Sequence, residues 1–158
     1  MRTIVIGLGN PALTDDGVGI KVARAMMNAD APVLPAGVVI EEAYAGGLRL
    51  MDAMVGYERA IIVDAMVSGD GAPGTVRRLC VSDLFATRNL ACSHDTNLST
   101  ALETGKMLGL TLPSEIIIWG INVKDVETFG EELTADVAKA VPVVVKEIFK
   151  EIKKEVAI

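Results

Sequence analysis

Short β-branched runs alternate along the chain with segments whose apolar residues recur every three or four positions, as in strands interleaved with amphipathic helices. Ile4-Val5-Ile6 runs into Gly7 as a first strand, and Val18, Val22, Ala25 and Met26 follow at helical spacing. Val38–Ile40 predicts a second strand, Leu48, Met51 and Val55 one stripe of a helix, and Ala60–Val63 a third strand closing on Asp64. Ser68 to Gly74 is turn chemistry. The short strand expected over Thr75–Leu79 carries adjacent arginines that suit an exposed edge, and an antiparallel course is expected for it. Leu98, Ala101, Leu102, Gly105 and Leu108 trace a helix after Asn97, Ile116–Trp119 reads as a buried strand, and Val145, Ile148, Phe149 and Ile152 line a last helix. Thr134 is its expected cap, and Pro142 is expected to kink it or to begin a new segment. No repeat or linker divides the sequence. The expectation is therefore a single domain over 1–158: an α/β three-layer sandwich, with a mostly parallel twisted sheet of about five strands, helices on both faces and one antiparallel edge strand.

Composition narrows the functional classes. Of the 158 residues 51% are hydrophobic and 23% charged, which excludes a disordered chain. The longest uncharged apolar stretches, such as Ala31–Ile40 and Ile116–Val123, fall short of the ~20 residues that span a bilayer. Met1-Arg2-Thr3 leads directly into a strand with no apolar signal region, so a cytoplasmic location is expected. The net charge of −6 and the lack of clustered Lys and Arg disfavour a nucleic-acid partner. Cys80 and Cys92 form neither a C-x-x-C pair nor a disulfide framework, and both are expected to be core thiols. No interface is legible, and a monomer is the working expectation.

In parallel sheets covered by helices, sites collect at the carboxyl ends of strands. There the sequence offers Asp16 after the first strand, Asp64 at the end of the third and His94 in a loop before the Asn97 helix. Two carboxylates and an imidazole suit a divalent first-row metal such as nickel or zinc, with positions left open for water or substrate. Asp16 as a plain first-turn carboxylate, Asp64 as a solvated strand end and His94 as a structural residue are the bland alternatives. Gly7-Leu8-Gly9-Asn10-Pro11-Ala12 also fits a dinucleotide-binding loop, with Glu41 or Glu42 near the second strand end. Against that reading, Asp15 and Asp16 stand where the pyrophosphate would dock. Of the adjacent pair, Asp15 is expected to cap the helix and Asp16 to face the site. No G-x-S-x-G elbow supports a serine nucleophile.

Gly7-Leu8-Gly9-Asn10, Thr14-Asp15-Asp16-Gly17-Val18-Gly19, Ile61-Ile62-Val63-Asp64-Ala65, Ala72-Pro73-Gly74-Thr75 and Ser93-His94-Asp95, in this order and spacing, resemble the hydrogenase maturation endopeptidases. The resemblance runs from Arg2 to about Phe149. It implies an aspartic-type, metal-dependent endopeptidase that removes a C-terminal peptide from the nickel-loaded precursor of a nickel-iron hydrogenase large subunit. Asp16, Asp64 and His94 then match the family's metal-recognising and catalytic positions, the nickel is supplied by the precursor, and zinc or cadmium is expected to substitute in vitro. Where many members carry an Asp-Gly-Gly-Thr-like segment, this chain has Glu42-Ala43-Tyr44-Ala45-Gly46-Gly47, which makes Gly46 and Gly47 candidates for substrate contact. Ile6-Gly7-Leu8-Gly9-Asn10-Pro11 also looks like the opening of peptidyl-tRNA hydrolases. That family needs a His soon after the motif, and here the only His is His94. A dinucleotide-binding module remains the non-enzymatic alternative.

Overall fold

In the computed structural model, residues 1–67, 71–90 and 97–156 are described. Five strands form one sheet in the order β2-β1-β3-β5-β4: β1 Thr3–Leu8, β2 Val38–Ala43, β3 Arg59–Met66, β4 Val76–Leu79 and β5 Glu115–Asn122. β1 lies parallel between β2 and β3, and β3 is parallel to β5. The edge strand β4 pairs antiparallel with β5, from Val76 opposite Ile121 to Leu79 opposite Ile118, as its exposed arginines predict. The chain leaves β1 for β2 on one side and returns to β3 on the other. The strand order therefore reverses at β1 and β3, which places a crevice at their carboxyl ends.

Strand alternation sorts the core into two layers. Val5, Ile61, Val63 and Ala65 face α1 (Val18–Met27) and α4 (Ala135–Val156), whereas Ile4, Ile6, Leu8, Ile62 and Met66 face α2 (Gly47–Met54) and α3 (Leu98–Met107). Each fully buried Ile or Val of these strands contributes about 1.5–3 kcal/mol of burial free energy. Both faces are covered, so the three-layer expectation holds. Gly19 lets α1 lie directly on the sheet, since a Cβ there would stand 2.3 Å from the Val63 carbonyl oxygen and 2.5 Å from that of Leu8.

Several local expectations change. α2 buries Leu50, Met51 and Met54 while Leu48 is exposed, because the helix starts at Gly47 and its core face is turned from the predicted one. α4 runs through Pro142 as one helix. Its buried stripe of Val137, Ala140, Val144 and Ile148 spans the proline on both sides, and that packing compensates for the missing N–H. Thr134 does not cap α4 with its hydroxyl, which donates to Asp15 instead at 2.7 Å. Cys80 is exposed, with Sγ 2.8 Å from Ser82 Oγ, so it is no core thiol; Cys92 lies outside the described residues. None of the described helices is long and apolar enough to cross a membrane.

Candidate active site

Asp64 is the centre of the crevice. It was expected at a strand end, but β3 continues to Met66 because its pairing with β5 extends to Met66 opposite Asn122. The side chain shares strand parity with Ile62 and Met66, points to the α2–α3 side and is wholly buried. A buried carboxylate requires donors. Asp64 Oδ1 accepts from the Ala65 N–H at 2.9 Å and from the Asn89 side-chain amide at 2.8 Å, while Oδ2 accepts from the N–H groups of Asn89 at 2.8 Å and Leu90 at 3.1 Å. Burial pushes its pKa up to about 7; the Asn89 and Leu90 hydrogen bonds pull the other way, and the neighbouring Asp16 charge adds to the rise.

Asp16 arrives from the other side of the crevice. It sits in a 3-10 turn over Thr14–Gly17 that links β1 to α1, and is 2% exposed. Its Oδ2 accepts from the Asn10 N–H at 3.1 Å, and its Oδ1 accepts from Asn89 Nδ2 at 2.9 Å and pairs with Arg88 Nε at 3.1 Å. One amide nitrogen thus lies within 2.9 Å of an oxygen from each carboxylate. The loop glycines permit this approach: Gly9 has φ +149°, and a Cβ on it would fall 2.0 Å from the Asp16 carbonyl oxygen. Gly9 therefore serves the Asp16 turn, and the Asn10 N–H that a phosphate would need is spent on a carboxylate. Glu42 is likewise occupied, by Arg24 Nε at 2.5 Å.

Asp15 plays a different part from the one expected. No side chain caps α1. Asp15 instead accepts from the N–H groups of Lys124 and Asp125, both at 3.0 Å, and of Thr134 at 2.7 Å, in addition to the Thr134 hydroxyl. It joins the turn after β1 to the connection between β5 and α4. Arg88, Asn89 and Leu90 were not anticipated at all, since they form no motif and lie far from both aspartates in sequence. Gly46 borders the same place, because a Cβ on it would stand 2.7 Å from the Asn89 carbonyl oxygen, and Gly47, with φ 63°, begins α2.

His94 lies outside the described residues, as does the rest of the Ser93-His94-Asp95 segment. Among the described residues no three His, Cys, Asp or Glu side chains gather as a metal-holding group. Asp16 and Asp64 each turn one carboxylate oxygen toward the same nitrogen, and carboxylate oxygens are the donor type that hard divalent cations take. The same pair has the makings of acid–base chemistry, because one of its two carboxyl groups titrates near neutrality.

Residues 20–151 match a family model described as hydrogenase maturation protease. The hydrogenase 2 maturation protease of Escherichia coli strain K12 is 30% identical over 128 residues, covering 80% of this chain and 76% of that one. The hydrogenase expression/formation protein HupD of Rhodobacter capsulatus is 27% identical over 154 residues, covering 96% and 71%. Among solved structures, the hydrogenase maturating endopeptidase HybD from E. coli superposes with a TM-score of 0.81 at 25% identity, covering 98% of this chain and 94% of that one. The NiFe hydrogenase maturation protease HybD from Thermococcus kodakarensis gives 0.66 at 26% identity, covering 96% and 99%.

Proposed function

The chain belongs to the hydrogenase maturation protease family, and from that premise we propose that it removes a C-terminal peptide from the nickel-loaded precursor of a nickel-iron hydrogenase large subunit. The observation that carries this reading is the convergence of Asp16, from the 3-10 turn between β1 and α1, and Asp64, from within β3, on a single nitrogen. A cation carried by the precursor meets the same two oxygens there, and His94, three residues before Asn97 in the sequence, is the third donor in this reading. Nickel is thus part of the substrate, and its recognition tells a loaded precursor from an empty one. Asp64, held near neutrality by burial, takes or gives a proton at the scissile group, which is the aspartic-type role in this reading. Gly46, beside Asn89, and its neighbour Gly47 are in this reading the contacts for the peptide to be removed.

The test is to mix the protein with nickel-loaded and nickel-free precursor and follow loss of the C-terminal peptide by mass. Cleavage confined to the loaded precursor, and lost in Asp16→Asn and His94→Ala, is expected; equal cleavage of both precursors refutes nickel recognition. Coordination needs a neutral His94 imidazole and an ionised Asp64, so cadmium affinity is expected to fall as pH drops through about 7 to 6.5, and His94→Ala to weaken binding and leave only the part of the dependence that Asp64 sets.

A further inference from the structure

We propose that Arg88 and Asn89 are an internal stand-in for the metal: they hold the two carboxylates together in the metal-free protein and withdraw when a cation binds. This rests on the reading of Asp16 and Asp64 as the nickel-recognising pair. All four carboxylate oxygens already have donors. Two of those donors occupy the place of a shared cation. Asn89 Nδ2 lies 2.9 Å from Asp16 Oδ1 and 2.8 Å from Asp64 Oδ1, and Arg88 Nε brings a formal positive charge to 3.1 Å from the same Asp16 oxygen. A divalent ion at that oxygen opposes a guanidinium beside it, because the two cations repel and the buried Asp16 oxygen is screened little by water.

The design permits their release. When the two side chains leave, Asp16 keeps the Asn10 N–H, and Asp64 keeps the N–H groups of Ala65, Asn89 and Leu90. Both carboxylates therefore remain aimed. The Arg88 main chain is pinned by its N–H to the Ala65 carbonyl at 2.8 Å, next to buried Thr87. Its side chain is 37% exposed, against 3% for that of Asp16, so the guanidinium has a short route into water. The consequence is selectivity. A free metal ion must displace an arginine already in place, whereas a precursor-held nickel arrives with the docking energy of a whole protein behind it. Arg88 is thus a positioning and specificity residue, not a catalytic one.

Calorimetric titration of cadmium chloride into the wild type and into Arg88→Gln tests this. Cadmium is expected to bind about tenfold more tightly to Arg88→Gln, the value of one charge-assisted contact, with Arg88→Lys between the two. The gain is expected to vanish in an Asp16→Asn background. In the wild type, the Arg88 Nε–H resonance is expected to move to a solvent-exposed position on cadmium saturation, a measurement that requires no variant to fold. Unchanged or weaker binding by folded Arg88→Gln, or an unmoved resonance at saturation, overturns the stand-in; if Asp16→Asn then still abolishes binding, the metal site itself stands. Cadmium binding indifferent to both Asp16→Asn and His94→Ala overturns the site reading.

Discussion

Asp15→Ala removes the most heavily used carboxylate in the fold that serves no chemistry in the proposed reaction. Its side chain is fully buried and receives three backbone N–H groups and one hydroxyl. Hydrogen bonds to a charged acceptor contribute about 1.5–3 kcal/mol each, but the donors lie in a partly exposed connection where water recovers some of the loss. A net cost of about 3–4 kcal/mol follows, or a fall in melting temperature of about 10 °C for a domain of this size. Asp15→Asn keeps one acceptor oxygen. Placed at the Oδ2 position it still serves Lys124 and Asp125, but its amide then faces the Thr134 N–H, donor against donor, at a cost of about 1–2 kcal/mol. A helix cap behaves otherwise: Ala costs about 1 kcal/mol there and Asn almost nothing. Urea and thermal unfolding of the three proteins distinguish the cases. If Asp15→Ala loses 1 kcal/mol or less and Asp15→Asn is neutral, the stitch between the β1 turn and the β5–α4 connection is not what the carboxylate provides.

Three further outcomes are expected. Asp64, raised from its ordinary 3.8 to about 7 by burial, holds its proton more tightly in the native than in the unfolded chain, so its contribution to stability declines as pH rises from about 4 to 7 and is level above about 8. Urea unfolding at pH 5 and 8 checks this, and Asp64→Asn is expected to remove that part of the slope. Glu151, 7% exposed on α4, meets Arg59 at 2.9 Å and Arg78 at 2.5 Å, and Glu151→Gln is expected to cost about 1–2 kcal/mol in urea unfolding, because the buried Arg59 loses its shorter ion pair and keeps the one with Glu115 at 3.2 Å. Gly46→Ala drives a methyl against the Asn89 carbonyl, so it is expected to reduce precursor cleavage about tenfold with a melting-temperature change of only a few degrees; full activity with an unmoved Asn89 amide resonance counts against the contact.

Elements with a strong period were readable from the sequence because burial on one or both faces imposes that period. β3 and β5 face helices on both sides and read as unbroken apolar runs, and α3 and the exposed arginines of β4 were equally direct. Failures came where two phases of one helix were nearly equal in apolar content. In α2 both Leu48 and Leu50 are available, and only the start at Gly47 and packing beneath Met54 decide which is buried. Pro142 begins no new segment because propensity is local while the stripe of α4 is held by its packing on the sheet.

The site was readable as residue types at strand ends and unreadable as contacts. Asn89 is 73 positions from Asp16 and 25 from Asp64, and no local pattern announces that strand order will bring all three together. Asp15 and Asp16 show the limit most sharply, being identical neighbours. Neighbours in any helical turn diverge by about 100–120° about the axis, so sequence says that the two must part but not which goes where. The observed 3-10 turn advances by a third of a revolution per residue, so it sends one carboxylate toward Lys124, Asp125 and Thr134 and the other across the crevice toward Asn89 and Arg88. Exchange of roles between them therefore requires rotation of the turn, and that rotation is opposed by Gly9, whose bare Cα lies against the Asp16 carbonyl with no room for a side chain.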